Sequence, residues 1–240
     1  MQDSTATKTG SQRTIFHELM SGDLPPHEKT LPRLVDEGQT MIAAGQETSS
    51  FFLKQTTYHL LANPTILRRL VDELRTAILD PTNIPPLSQL EALPYLHGVI
   101  QEGHRFSHGV AGRLQRISPD KSIQYNAWTI PAGTPVSMTS LMMHSDPSKF
   151  PEPGKFSPER WLPEAPNRAS DKYLVPFSKG TRQCLGINLA TAEIYLTIAT
   201  VFRRFEMELF ETTARDAEVV HDYFIPHGHQ DSKGVRVVLT

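Results

Sequence analysis

Cys184 is the single cysteine in 240 residues, and it stands in the string Phe177-Ser178-Lys179-Gly180-Thr181-Arg182-Gln183-Cys184-Leu185-Gly186. The chemistry this set can do is ligation of haem iron by a thiolate, the ligand that pushes electron density toward iron and favours O–O cleavage. An amphipathic run begins at Leu185 and Gly186, which puts the sulfur at a helix N-terminus, where free N–H groups and the positive dipole end favour an anion. Gly180 permits a turn that a Cβ would obstruct, and Gly186 lets the backbone lie against a flat macrocycle. Arg182 offers a forked donor for an anion such as a haem propionate. Phe177 would pack beside the sulfur and keep water away, and such burial tunes a metal–thiolate pair. The plainer alternative is an inert cysteine packed as a small apolar side chain.

The string resembles the haem-binding signature of the cytochromes P450, Phe-x-x-Gly-x-Arg-x-Cys-x-Gly, and agrees at every specified position. The resemblance implies that Cys184 is the axial thiolate of haem b and thus the metal ligand, with Arg182, Phe177 and Gly186 around the cofactor. Ala44-Gly45-Gln46-Glu47-Thr48 resembles the family's oxygen-activation segment. There Ala44 and Gly45 let a helix pass close to the haem, while Thr48 and Glu47 serve as catalytic proton donors in the binding and activation of O2. Ordinary helix packing with a surface acid is the other reading of those five residues. Glu102-Gly103-His104-Arg105 resembles the family's Glu-x-x-Arg, with i and i+3 on one helix face. Pro158-Glu159-Arg160-Trp161 resembles its Pro-Glu-Arg-Phe element. Together Glu102, Arg105 and Arg160 would form a buried structural charge network, with Trp161 as an aromatic plug. Arg113 resembles a second propionate partner, a solvated surface arginine being the alternative. Ser107, His108, Gly109, Val110 and Ala111, and less directly Phe224, fall where the family lines its substrate pocket. Their small side chains suggest space for a bulky apolar ligand, and both stretches could equally be plain loops.

The fold implied is mainly α with a small β component, the C-terminal half of the P450 fold: long central helix, Glu-x-x-Arg helix, small sheet, meander, cysteine loop and following helix. The function implied is a haem-thiolate monooxygenase acting on an apolar secondary metabolite, terpenoid or polyketide-like, with electrons from an NADPH-cytochrome P450 reductase. Ser21-Gly22-Asp23-Leu24-Pro25-Pro26 is similar to the fungal secondary-metabolite branch that includes trichodiene oxygenase. The resemblance begins near Thr14, leaving 1–13 as a disordered segment and 14–240 as a truncated P450 domain. The family's early helices and membrane anchor have no counterpart here, so the alternative function is a non-catalytic remnant with impaired haem binding, at most an interaction module.

Composition agrees with a globular chain. Lys and Arg number 24 against 26 Asp and Glu, which gives no reason to expect nucleic acid as a partner. One cysteine excludes an intrachain disulfide or a cysteine-rich zinc site. None of the ten histidines falls in a His-Glu-x-x-His pattern. No signal peptide or membrane span is legible, so the chain reads as cytoplasmic, with the endoplasmic reticulum membrane expected for full-length relatives.

The elements that must position these residues follow from periodicity. Leu34, Met41, Ile42, Phe51, Phe52, Leu60 and Leu61 predict one long, mostly buried helix over 31–62. Asn63 as N-cap and Pro64 at the first helical position open a second, with Leu67, Leu70, Val71, Leu74 and Ile78 along one face. Ser88-Gln89-Leu90-Glu91 reads as a capping box opening a short helix, and a further helix covers 95–105. Strand-like text at 113–138 predicts a small sheet. Prolines recurring through 146–176 forbid regular structure there and predict an ordered meander. A helix over 185–205 and an edge strand at 235–239 complete the order.

Overall fold

A computed structural model describes residues 14–166, 169 and 171–239. The expected disordered segment 1–13 lies outside the described residues. The chain divides into two compact units, Met1–Gln46 and Glu47–Thr240, and the long helix α2 (Leu31–Leu61) continues from one into the other.

The first unit holds α1 (Ile15–Ser21), a 3-10 turn (Pro26–Lys29) and the opening turns of α2. Thr14 caps α1 through a reciprocal box, its hydroxyl accepting from the His17 N–H while the His17 ring accepts from the Thr14 N–H. Arg33 bonds Glu28 at 2.8 Å and pairs with Glu37 one turn on. The expectation that α2 is mostly buried is corrected here. Leu31, Val35 and Ile42 are exposed, and burial in α2 is confined to Phe52, Gln55, Thr56 and Leu60. The reason is compositional: Asp36, Glu37, Gln39, Ala43, Ala44 and Gly45 give these turns too little apolar area for a buried stripe.

In the second unit the end of α2 packs with α3 (Pro64–Ala77), α4 (Leu87–Glu91), α5 (Pro94–Ser107) and α7 (Ile187–Arg204). Their shared core contains Leu60, Leu70, Leu74, Leu90, Leu96, Val99, Ile198 and Phe202. Pro64 starts α3 as expected, but the Asn63 amide donates back to the His59 carbonyl at 2.7 Å instead of capping forward. The expected capping box at Ser88 is also absent, because the helix begins one residue earlier, at Leu87 after Pro86. Leu93 offers no side-chain cap to α5, so Glu73 of α3 supplies one, its carboxylate accepting from the N–H groups of Tyr95 at 2.8 Å and Leu96 at 2.7 Å.

The small β component is a set of two-stranded antiparallel ladders among the described residues. β1 (Arg116–Ile117) pairs with β4 (Pro135–Val136), and β2 (Ile123–Tyr125) with β3 (Trp128–Ile130). β5 (Met207–Leu209) pairs with the tail strand β8 (Val237–Leu239), and β6 (His221–Tyr223) with β7 (Ile225–His227) around Phe224. Between α6 (Ser140–His144) and the cysteine loop the described residues are irregular, with 3-10 turns at Pro158–Trp161 and Asp171–Tyr173. Phe150, Trp161 and Ala169 bury together as a second, smaller core beneath this meander.

Candidate active site

The cysteine loop is built as its glycines require. Ser178 and Gly180 both take positive φ, 60° and 79°, and a 3-10 turn over Gly180–Arg182 turns the chain. The Cys184 N–H donates to the Phe177 carbonyl at 2.9 Å, closing the loop. Gly186 is the N-cap of α7, and a Cβ placed there would meet the Cys184 sulfur at 4.0 Å. The thiol therefore stands beside the start of an 18-residue helix, the end whose positive dipole favours an anion. Cys184 is exposed, Leu185 is 89% exposed, and Phe177 is half-buried with its ring edge-on to His104 at 4.9 Å. Phe177 thus anchors the loop inward while the thiol faces outward.

His104 of α5 joins the helix carrying Thr48 to this loop. Its ring lies 4.6 Å from that of Phe52 on one side and against Phe177 on the other. It is 6% exposed, and burial pushes its imidazole down to about 3, so the ring is a neutral spacer. Gly103 next to it allows the closest approach, since a Cβ there would fall 2.4 Å from Thr56 Oγ1 and 2.8 Å from the Phe52 ring.

Glu102, Arg105 and Arg160 come together as the sequence implied, in the interior. Glu102 is fully buried and its carboxylate accepts from Arg105 Nε at 3.0 Å and Nη2 at 2.8 Å, and from Arg160 Nε at 3.1 Å. The Ser157 N–H at 2.9 Å and the Trp161 indole N–H at 2.9 Å complete its shell. Trp161 is thus more than an aromatic plug; it hydrogen-bonds the central charge, which a phenylalanine cannot do. Arg105 spends its other donors on the carbonyls of His144 at 2.9 Å, Pro153 at 2.8 Å and Lys155 at 3.2 Å. One guanidinium therefore fixes three points of the chain between α6 and the meander.

The two pocket stretches meet. The Ala111 N–H donates to the Phe224 carbonyl at 3.2 Å, and the Ala111 carbonyl accepts from the Thr139 hydroxyl at 2.7 Å. The Ser140 hydroxyl bonds the carbonyls of His108 and Val110. Small size means something different here from the space it suggested. Gly109, at φ 66°, is small because any Cβ would fall 2.1 Å from the Pro176 carbonyl oxygen, and Ser107 is buried with its hydroxyl turned to the His104 carbonyl. Phe224 is 60% exposed at the hairpin tip with φ 75°.

Ala44, Gly45, Glu47 and Thr48 lie in the unbroken α2 helix. A Cβ at Gly45 would meet nothing within 4 Å, so that position is open on its outer side. Arg182 and Arg113 are both exposed, and neither makes a hydrogen bond or ion pair among the described residues. His144, which no sequence spacing singled out, is fully buried, its Nε2 accepting from the Val175 N–H at 2.9 Å. Its position just before Asp146-Pro147 at the mouth of the meander is the one signal that could have marked it.

The family model for cytochrome P450 matches residues 3–224. A cytochrome P450 monooxygenase of Ascocoryne sarcoides is 50% identical over 230 residues, covering 95% of this chain and 45% of its own. One from Sordaria araneosa is 47% identical over 244 residues, covering 100% of this chain and 47% of its own. An N-acetyltryptophan 6-hydroxylase of Emericella nidulans is 46% identical over 237 residues, covering 97% and 46%. The chain spans about half the length of these curated relatives. A match this long, on a chain whose cysteine loop and buried Glu102 cluster are formed as described, shows that the chain belongs to the cytochrome P450 family.

Proposed function

We propose that the chain encodes the haem-binding and proton-handling part of a haem-thiolate monooxygenase of secondary metabolism. The observation that carries this is the outward-facing Cys184 thiol beside the start of α7, with glycine at position 186 where a flat cofactor would lie. The donor set fits such a group: one thiol, no second cysteine, open space outside Gly180, and two exposed arginines. Cys184 would hold haem iron, Arg182 and Arg113 its propionates, and Gly186 would lie against its face. When bound, thiolate-ligated haem supplies the activation of O2, with electrons passed from NADPH by a reductase.

The chain's own residues do the rest. Cys184 Sγ stands at the start of α7, the helix end that favours a bound anion. Thr48 Oγ1 would hold a proton for that chemistry, and the exposed Glu47 carboxyl would exchange it with solvent. The 107–111 stretch, braced by Thr139, Ser140 and the Phe224 hairpin, orients an apolar substrate. A terpenoid or polyketide-like metabolite suits it, and the relatives named for hydroxylating tryptophan and N-acetyltryptophan add an aromatic substrate to that range. A second reading, an interaction module that does not hold haem by itself, is supported by the exposure of Cys184, Leu185 and Leu189.

The carbon monoxide difference spectrum of the reduced, haem-reconstituted chain separates the two. The red-shifted Soret band of thiolate-bound haem, lost in Cys184→Ala, is the expected result. Folded protein without that band sinks the oxygenase reading for this chain and leaves the second.

A further inference from the structure

His144 closes α6 and has no exposed surface. Its carbonyl accepts from Arg105 Nη1 at 2.9 Å, which ties it to the Glu102 cluster. Its ring Nε2 accepts from the Val175 N–H at 2.9 Å. The Val175 carbonyl accepts from the Ser178 N–H at 3.1 Å, and the Phe177 carbonyl accepts from the Cys184 N–H at 2.9 Å. A continuous path of hydrogen bonds and short backbone steps therefore runs from the buried ion cluster, through one imidazole, to the backbone of the thiol.

We propose that His144 is a positioning residue for the cysteine loop: as the neutral tautomer protonated on Nδ1, it fixes Val175 and with it the turn from Phe177 to Cys184. An imidazole whose Nε2 accepts a hydrogen bond must carry its proton on Nδ1 when neutral. That Nδ1 is buried without a hydrogen-bond partner among the described residues, so the ring's polar contact there is the bond that Nε2 accepts. The titratable and charged groups that face the ring are Arg105, His104 and His108, the last stacked on it at 5.7 Å. Burial foremost, and these neighbours, push the imidazole down to about 3, so the accepting lone pair persists at neutral pH. Leucine or phenylalanine would fill the same volume and leave the Val175 N–H unpaired.

The purpose assigned to this residue rests on the haem-thiolate reading, while its test does not. In the full chain labelled with ¹⁵N and free of haem, long-range ring correlations should show His144 as the Nδ1–H tautomer from pH 8 to about pH 5. In His144→Leu, amide exchange at Val175 and Cys184 should speed up roughly tenfold relative to Ile198 in the core of α7. His144→Gln, which keeps an acceptor at similar reach, should restore both amides to within about threefold of the unaltered chain. An Nε2–H tautomer, unchanged exchange in the leucine variant, or failure of glutamine to restore it overturns the proposal. If the leucine variant does not fold, the tautomer and the glutamine variant decide alone. A chain with the exchange pattern but no thiolate spectrum keeps this role for His144 and loses the haem reading; the opposite pair of results removes only His144.

Discussion

Replacing Glu102 by glutamine keeps the shape of the side chain and removes the charge on which the interior of the second unit converges. Both carboxylate oxygens are fully engaged: Oε1 accepts from Arg105, Arg160 and the Ser157 N–H, and Oε2 from Arg105 and Trp161. In Glu102→Gln one of those oxygens becomes an NH2 group, which must face donors. Two guanidinium groups, 2% and 9% exposed, are left without an anion. Breaking a buried pair by removing one partner costs about 3–5 kcal/mol, because the stranded charge pays the desolvation. With a urea slope of about 2 kcal/mol per molar, the unfolding midpoint should fall by about 1.5–2.5 M. Far-UV circular dichroism of the full chain in urea at pH 7 measures this directly. Trp161→Phe is the internal control, since it removes one bond to the carboxylate, about 1.5–3 kcal/mol, and keeps both ion pairs. A midpoint shift below about 0.5 M in Glu102→Gln, or an equal loss in both variants, would refute the account of Glu102 as the central charge.

The same substitution should act in opposite directions at two helical glycines. Gly103→Ala gains about 1 kcal/mol of helix propensity but drives a Cβ into Thr56 and Phe52, and a net loss of about 1–2 kcal/mol is expected. Gly45→Ala meets nothing within 4 Å and should raise the urea midpoint, and a fall there would contradict the open geometry. Acid should weaken the fold earlier than carboxylate protonation does. His104 and His144 are held near 3, against 6.5 for a free imidazole. Their contribution is complete above about pH 6.5 and is lost as pH falls toward 3, because the unfolded chain takes up protons that the folded chain refuses. At pH 5 each should cost about 2 kcal/mol, so a urea midpoint unchanged between pH 7.5 and pH 5 would show that these rings are not neutral and buried.

How much of this was legible in the sequence depended on whether a residue's partner was local or distant. The cysteine loop could be read from one string because its geometry is set by Ser178, Gly180 and Gly186 within that string. Glu102 and Arg105 share a helix face, so their pairing followed from spacing. Arg160 came with them only because of the resemblance carried by Pro158-Glu159-Arg160-Trp161. Hydrogen bonds across long loops left no trace: Glu73 capping α5, Trp161 donating to Glu102 and His144 receiving Val175 all join residues that no periodicity relates. The burial of α2 falls short of its apolar periodicity because the small and charged residues between the apolar ones leave too little area to bury. Gly109 makes a related point, since a small residue marks either space or contact, and only coordinates distinguish the two.

The bare backbone of α5 gives it a further property. Gly98 lies against the Pro158 carbonyl, where a Cβ would fall 2.8 Å from the oxygen, and Gly103, on another side of the same helix, lies against Phe52 and Thr56. The helix is therefore a caliper whose jaws are α2 and the meander, and its gauge is the thickness of an undecorated peptide cylinder. No choice of side chain at these two positions can fine-tune that gauge; it can only be widened, by at least a methyl group at a time. Changes in volume at Phe52 and at Pro158 should consequently be felt by each other through a rigid spacer, although the two residues belong to distant parts of the chain.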